Sequence, residues 1–430
     1  MGALDNLTIL RYGHVYDSGG GMEQYLSDLN GALAARSSLT TLQVQLTSNS
    51  DRVGEFEEPV PQGKHLRVSL FVDQASHEQS ITSDENGHGL AARLKTAFRE
   101  YILFAPGIYP LFTRLLLKQR KIPRRAGEPV NVGKTVRGLH RRHPINLICL
   151  HSAGGADTAE ILAFADEEKI PVTYVHHFSN DRLNGFAMRA QLDRMAGVSG
   201  VCGTDIPAYL RHRFVTVADG IDTAFFKKEN AQPVDRTFDA PLIFLGARIT
   251  QTKGQAQVVR AAGELKRRGL AFHVALAGRL DSAAYEKKIL DLIHAENVED
   301  RISLIGQLTT AKLRDWYGMA SVIAFPTLHH EGLPRILMEC QAMGVPPVVH
   351  RIGGTPDGVV DSETGYLVAP DDFATFVNRL ETLLKQPDLR ARFATAGRQL
   401  VETKFSIQAL ASRHEGFYLA TLKTTHAAHR

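Results

Sequence analysis

Residues 242–276 read LIFLGARITQTKGQAQVVRAAGELKRRGLAFHVAL. Leu242 to Leu245 is a continuous apolar run of strand length, and so is Phe272 to Leu276. Between them, Val258, Val259, Ala262 and Leu265 fall at helical spacing within Gln255 to Arg268. Unbroken apolar strands separated by an amphipathic helix predict a parallel sheet covered on both faces. The rhythm continues downstream in Ile302 to Ile305, Val322 to Phe325 and Val345 to Val349. Upstream it recurs in Leu7 to Leu10, Thr41 to Leu46, Ile145 to Leu150 and Val172 to Val175.

A chain of 430 residues has room for two such doubly wound α/β domains, each with its own core. The polar segment Asn230 to Ala240, with Pro233 and no apolar period, marks the boundary. The expected division is 1–235, 236–405 and a terminal helix over 406–430, whose Ile407, Leu410, Phe417, Tyr418 and Leu422 need something to pack on. Residues 75–89 are polar and read as a loop.

Composition is that of an ordinary globular protein, with 43% apolar and 22% charged residues, which excludes a fibrous or disordered chain. The net charge of +4 is unevenly placed. From Arg114 to Arg142 ten Lys or Arg face one acid, Glu128, so this stretch carries +9 and the remainder −5. The stretch follows the apolar residues 101–117, which include Pro106, Gly107, Pro110 and Arg114 and fall short of the roughly 20 needed to span a bilayer. Two readings of 101–142 stand: an interfacial segment on anionic lipid, or a packed helix with a solvated basic end. No basic-aromatic readout module accompanies the charge, so nucleic acid is not expected as a partner. The three cysteines, Cys149, Cys202 and Cys340, have no partner at metal spacing and read as buried free thiols of a reducing compartment. The first ten residues show neither a basic nor an apolar signal region. The expectation is a cytoplasmic protein, either free or peripheral on the inner face of the plasma membrane.

Several chemistries lose their signatures. No Gly-x-Gly-x-x-Gly follows a strand, no Asp-x-Asp is present to clamp a metal on a diphosphate, and no Gly-x-Ser-x-Gly elbow occurs. The nearest approach to a Walker loop, GEPVNVGKT at 127–135, is one residue too long and follows no strand. What remains is anion and hydroxyl binding. Ser18 to Glu23 (SGGGME) precedes a helical pattern of Tyr25, Leu26, Leu29 and Leu33, where glycines admit a phosphate to a helix N-terminus. Arg248 and Lys253 with Gly254 lie between a strand and a helix, where two cations can neutralise a diphosphate. In PTLHHEGLPRILMEC, residues 326–340, Glu331 precedes a helix with Pro334 in its first turn, and Glu339 lies about two turns later. Both carboxylates can accept from sugar hydroxyls.

From Phe244 to Asp371 this order of motifs resembles the retaining glycosyltransferases of family 4, which have the GT-B fold: Gly246-Ala247-Arg248, Lys253-Gly254, Glu331-Gly332-Leu333-Pro334 with Glu339, Gly353-Gly354-Thr355-Pro356, and Thr364-Gly365-Tyr366-Leu367-Val368. Asp219-Gly220-Ile221-Asp222-Thr223 and the loop Gly20-Gly21-Met22-Glu23 extend the likeness upstream. The resemblance implies two Rossmann-like domains with a cleft between them, the first taking the acceptor and the second a nucleotide-diphosphate sugar. It implies that Arg248 and Lys253 bind the diphosphate, that Glu339 receives the ribose, and that Glu331, with the backbone of Gly332 and Leu333, holds the transferred sugar. Gly20 and Gly21 would close over the diphosphate, and His177, with His176 as the adjacent alternative, would contact the sugar near the reacting carbon. His151 also stands at a strand end. Asp357 stands where the family often has glutamate, and Gln341 where it has a small residue.

The implied activity is retaining, metal-independent transfer to a saccharide, lipid-linked or small-molecule acceptor, with no cofactor, in bacterial cell-envelope polysaccharide or glycolipid synthesis. The alternatives are another GT-B activity, a sugar-nucleotide epimerase or a phosphorylase, and a noncatalytic sugar-nucleotide-binding protein.

Overall fold

The computed structural model describes residues 2–13, 21–47, 54–71, 132–180, 183 and 186–428. Gly20, the polar stretch 75–89, the apolar stretch 101–117 and the basic residues up to 131 lie outside the described residues.

The described elements of the first domain are, in chain order, β1 (Thr8–Tyr12), α1 (Gly21–Ala34), β2 (Thr40–Thr47), β3 (Gly54–Glu58), β4 (Lys64–Phe71), α2 (Val132–Arg142), β5 (Leu147–Leu150), α3 (Ala156–Glu168), β6 (Val172–His176), α4 (Phe186–Leu192), β7 (Gly197–Gly200) and β8 (Phe214–Thr216). Its strands form one sheet in the order β3-β4-β2-β1-β5-β6-β7-β8. Only β3 among them runs antiparallel to its neighbour. The second domain follows with β9 (Leu242–Gly246), α5 (Gln255–Arg267), β10 (His273–Ala277), α6 (Ala283–Ala295), β11 (Ile302–Gly306), α7 (Thr310–Met319), β12 (Val322–Phe325), α8 (Arg335–Ala342), β13 (Pro347–His350), α9 (Thr355–Gly358), β14 (Tyr366–Val368), α10 (Phe373–Lys385) and α11 (Pro387–Lys404). Its all-parallel sheet has the order β11-β10-β9-β12-β13-β14.

Burial on both sheet faces explains the apolar runs. In the first domain Leu10, Ile148, Leu150 and Val172 face α2 and α3, whose Val136, Leu139, Ile161 and Phe164 are buried against them. The opposite face, with Ile9, Leu147, Cys149 and Val175, packs on Tyr25, Leu26, Leu29 and Leu33 of α1. All three cysteines are buried and form no disulfide. The last helix, α12 (Ile407–Ala428), lies on α1 rather than on the second domain's outer surface. Leu410, Ala411 and Tyr418 are fully buried there, and the Arg36 guanidinium meets Glu415 at 2.7 Å.

In the described end of the basic stretch two of the four Lys and Arg side chains, Arg137 and Arg142, are in ion pairs. Arg137 reaches Glu167 at 2.6 Å and Arg142 pairs with Glu55 through both terminal nitrogens, while Val132, Val136 and Leu139 are buried. For α2 this is a packed helix with a basic outer face. Among the described residues no helix is long and apolar enough to cross a membrane.

Each sheet reverses its winding once, between β1 and β5 and between β9 and β12. In open α/β sheets, ligands bind beyond the carboxyl ends of the strands at such switch points. The loop carrying Arg248 and Lys253 leaves β9, the loop carrying Glu331 leaves β12, and His151 ends β5. The chain order thus brings its candidate groups to both switch points.

Candidate functional site

Gly254 opens α5 with φ of +86°, and a Cβ there would lie 2.2 Å from the carbonyl oxygen of Pro326. The absence of a side chain lets the loop after β9 settle on the loop after β12. Leu328 N–H donates to the Thr252 carbonyl at 2.8 Å, and the Thr327 hydroxyl lies 3.2 Å from the same oxygen. Their contact places Lys253 Nζ 2.7 Å from Glu331 Oε1, which also accepts from Thr327 Oγ1 at 3.2 Å. Only about a sixth of each charged side chain is exposed, 16% for Lys253 and 17% for Glu331. The two groups assigned by resemblance to diphosphate and sugar are therefore partners of each other. Arg248 is exposed and makes no ion pair among the described residues; its carbonyl is fixed by Gln255 Nε2 at 2.9 Å.

Glu339 sits one turn into α8, which begins at Arg335; Pro334 stands just outside it as the N-cap. Tyr317 donates its hydroxyl to Glu339 Oε2 at 3.1 Å, and Arg335 Nε lies 3.6 Å from Oε1. Burial pushes this carboxyl above the usual range, with Arg335 opposing the shift. Glu331 and Glu339 thus occupy different surroundings, one against a lysine at the loop, the other deeper against an arginine and a phenol.

The two domains meet at backbone. Phe178, two residues beyond β6, forms an antiparallel bridge with Glu331, and Gly354 N–H donates to the Glu331 carbonyl at 2.9 Å. A Cβ on Gly332 would stand 2.5 Å from the His177 carbonyl, and one on Gly354 would stand 1.6 Å from the Gly332 carbonyl. Leu333 is buried beside them. Asp357 closes the same junction: its Oδ2 accepts from Gly203 N and Thr204 N at 3.0 Å each and from Thr204 Oγ1 at 2.6 Å. The shorter aspartate, where glutamate is commoner in the resembled family, matches a loop that approaches this closely.

The adjacent histidines part ways. His176 is buried, with Nδ1 2.9 Å from the Tyr174 hydroxyl and Nε2 3.0 Å from the Ser179 carbonyl, so both ring nitrogens serve the core. His177 turns to the α1 side, its Nε2 2.8 Å from His151 Nδ1 and its ring edge-on to Tyr25 at 4.7 Å between centroids. Tyr25 continues through its hydroxyl to His414, which reaches Tyr418 at 3.0 Å. Gly21 is the first residue of α1, four positions before Tyr25.

Burial, then the neighbouring His176, pushes the His177 imidazole down to about 3, and burial holds His151 and His414 well below their ordinary value. The unfolded chain takes a proton on each near 6.5, whereas folded His177 takes one only near 3. Stability held at neutral pH is therefore lost as pH falls below about 6.5, since the unfolded state binds more protons. Urea midpoints measured at pH 7 and pH 5 should fall more for the wild type than for His177→Gln. The comparison between the two cancels the opposite contribution of carboxyls raised by burial; equal falls would refute a neutral His177.

Sequence reasoning passed over Arg335, Asp28 and Tyr25. Arg335 and Glu339 are spaced i, i+4, which on a helix is a readable pair. Asp28 and Tyr25 reach the site only through tertiary packing and leave no local signal. Among the described residues no group of three or more His, Cys, Asp or Glu is placed to hold a metal ion.

Residues 226–400 match the family described as glycosyl transferases group 1. Similar curated proteins include an alpha-D-kanosaminyltransferase of Streptomyces kanamyceticus, 28% identical over 216 residues covering 50% of this chain and 55% of that protein. Another is the capsular polysaccharide biosynthesis glycosyltransferase CapM of Staphylococcus aureus, 26% identical over 287 residues covering 61% and 73%. The chain spans about half the length of the first of these relatives. Among solved structures, sucrose-phosphate synthase from Thermosynechococcus elongatus aligns over 97% of this chain and 100% of its own with a TM-score of 0.70 at 17% identity. A glycosyltransferase from Rickettsia africae aligns over 97% and 99% with a TM-score of 0.68 at 15% identity. At such identities the likeness is one of fold, and the fold is GT-B.

Proposed function

We propose that the chain is a glycosyltransferase that moves a sugar from a nucleotide-diphosphate donor to an acceptor hydroxyl with retention at the anomeric carbon. The observation that carries the reading is the Lys253–Glu331 pair at the β9/β12 switch point, with Arg248 exposed on the same loop as Lys253 and in no ion pair among the described residues, inside the segment that matches the glycosyltransferase family. Lys253 and Arg248 face the departing diphosphate. As the diphosphate takes Lys253, Glu331 is released toward the sugar hydroxyls, while Glu339 receives the ribose. Gly20 and Gly21 close over the diphosphate from the first domain, and His177, a neutral imidazole, contacts the sugar near the reacting carbon.

The bond between the anomeric carbon and the diphosphate oxygen breaks as positive character develops on the sugar. The acceptor oxygen attacks from the same face, and its proton passes to the departing phosphate oxygen. In this reading the charge on the leaving group is met by two side-chain cations, so it requires no protonating carboxylic acid of the kind a glycosidase uses. The name of the Staphylococcus aureus relative, a capsular polysaccharide biosynthesis glycosyltransferase, supports a product in bacterial envelope polysaccharide or glycolipid synthesis, with a saccharide, lipid-linked or small-molecule acceptor.

Incubating the protein with a panel of nucleotide sugars and bacterial lipid or saccharide extracts tests the reading. Released nucleoside diphosphate together with a glycosylated acceptor in the mass spectrum is the expected result. Epimerised donor, or sugar phosphate formed with inorganic phosphate, identifies an epimerase or a phosphorylase instead. Tight nucleotide binding with no turnover of any donor identifies a noncatalytic binder.

A further inference from the structure

Arg335 gathers three carboxylates from three parts of the chain. Its Nη2 lies 3.3 Å from Asp28 Oδ2 on α1. Its Nη1 lies 3.2 Å from Asp219 Oδ2 and 3.3 Å from the Gly220 carbonyl, on the segment that leaves the first domain. Its Nε faces Glu339 Oε1 at 3.6 Å within α8. Side-chain exposure is 17% for Arg335, 13% for Asp28, 8% for Asp219 and 10% for Glu339, so the cluster is nearly closed to water. Burial pushes all three carboxyls up, and Arg335 is the largest opposing influence on each.

We infer that Arg335 is a positioning residue that makes the orientation of Glu339, and with it donor affinity, depend on the first domain being closed against the second. The inference rests on the reading in which Glu339 receives the donor ribose. A guanidinium offers five N–H donors in a fixed fork, so one side chain can serve three directions at once. Here each direction leads to a different element, and two of them belong to the first domain or its exit. With Tyr317 on Oε2 and Arg335 beside Oε1, both oxygens of Glu339 are held. When the domains part, Asp28 and Asp219 leave the guanidinium, and the geometry that fixes Glu339 goes with them.

A ribose contact far from the reacting carbon is equal in ground and transition states, so its loss raises KM and spares kcat. Hydrogen bonds to charged groups are among the stronger ones, so Arg335→Gln is expected to raise donor KM roughly 10- to 100-fold with kcat within about threefold of wild type. Arg335→Lys keeps the charge without the fork and should recover only part of the loss, which a purely structural cation would restore in full. Asp28→Ala should raise KM in the wild-type background and have no further effect in Arg335→Gln, the coupling a double-mutant cycle reads. Wild-type KM in Arg335→Gln, full recovery in Arg335→Lys, or additive effects of the two substitutions would overturn the inference while leaving the transfer reading intact. If Arg335→Gln does not fold by circular dichroism, Arg335→Lys and Asp28→Ala carry the test. If the wild type transfers no sugar, calorimetric titration with UDP, GDP and ADP replaces KM. Binding weakened by the same factor supports the inference, and unchanged binding, or no binding by the wild type, overturns it.

Discussion

Arg248→Ala is expected to lower turnover by roughly 10²–10³-fold, the usual loss when one donor to a developing anion is removed, and to leave the melting temperature unaltered. The two halves of this result come from one observation. Arg248 is exposed, and its guanidinium has no ion-pair partner among the described residues. Among the described residues nothing is paired with its charge, and surface substitutions of this kind usually stay within about 0.5 kcal/mol. Lys253→Ala should lose activity on the same scale but also stability. It strips the ion-pair partner from Glu331, a carboxylate only 17% exposed. Steady-state kinetics and thermal melts on both variants separate the roles. Near-normal turnover in Arg248→Ala would remove the diphosphate assignment, and an equal fall in melting temperature for both would mean that Arg248 has a structural partner.

Gly354→Ala carries the largest expected loss of stability. The added Cβ would stand 1.6 Å from the Gly332 carbonyl oxygen, 2.5 Å from its carbon and 2.9 Å from Cys202 Cβ. The backbone of Gly354 is at φ −85°, open to any residue, so the penalty is steric and not conformational. Two of those neighbours are main-chain atoms, which cannot rotate away. Overpacking of this kind costs about 1–3 kcal/mol and more where the backbone must move. Relief requires shifting residues 331–332, the segment that bridges Phe178 and carries the Lys253 partner. The variant should therefore melt several degrees lower and lose donor turnover together. Gly416→Ala on α12 is the control: nothing lies within 4 Å of its Cβ position, and replacing a helical glycine by alanine typically stabilises by about 0.4–1 kcal/mol. A Gly354→Ala protein with wild-type stability would show that the two glycine loops do not approach as described.

The second domain was legible because its strands are buried on both faces. Leu242–Gly246 and Val322–Phe325 are continuous apolar runs, and their observed limits differ from the sequence reading by no more than a residue. Ile145 to Leu150 was read two residues too long at its start; after Pro144 the strand begins only at Leu147. Four strands of the first domain left no such signal, among them β4, KHLRVSLF, whose apolar residues are interrupted by polar ones. β3 is GEFEE, an edge strand whose glutamates alternate toward solvent, and β8 is the three-residue edge FVT. β7 is GVSG, where packing replaces composition. A Cβ at Gly197 would meet Thr421 and Phe417 of α12, and one at Gly200 would meet the Phe214 ring at 2.6 Å. The candidate site divides the same way. Lys253 and Glu331 stand in local motifs, whereas the cluster on Arg335 needs residues 28, 219 and 339 to arrive from three elements, a coincidence that only the fold creates. The resemblance placed the sugar-contacting histidine at His177 by position after Val172 to Val175; that the His176 ring turns into the core and the His177 ring toward His151 depends on the end of β6 and the loop after it, which no local pattern shows.

The position of α12 has a consequence for biosynthesis. The first domain's inner face, with Tyr25 and Cys149, is covered by His414 and Tyr418, residues translated some 200 positions after that domain's last strand. Domains of many proteins finish folding in the order in which they leave the ribosome; this one must wait with a polar seam of tyrosine, histidine and thiol groups open until the second domain has been made. The nascent first domain is thus the stage most exposed to wrong partners, and its maturation is timed by the helix that arrives last.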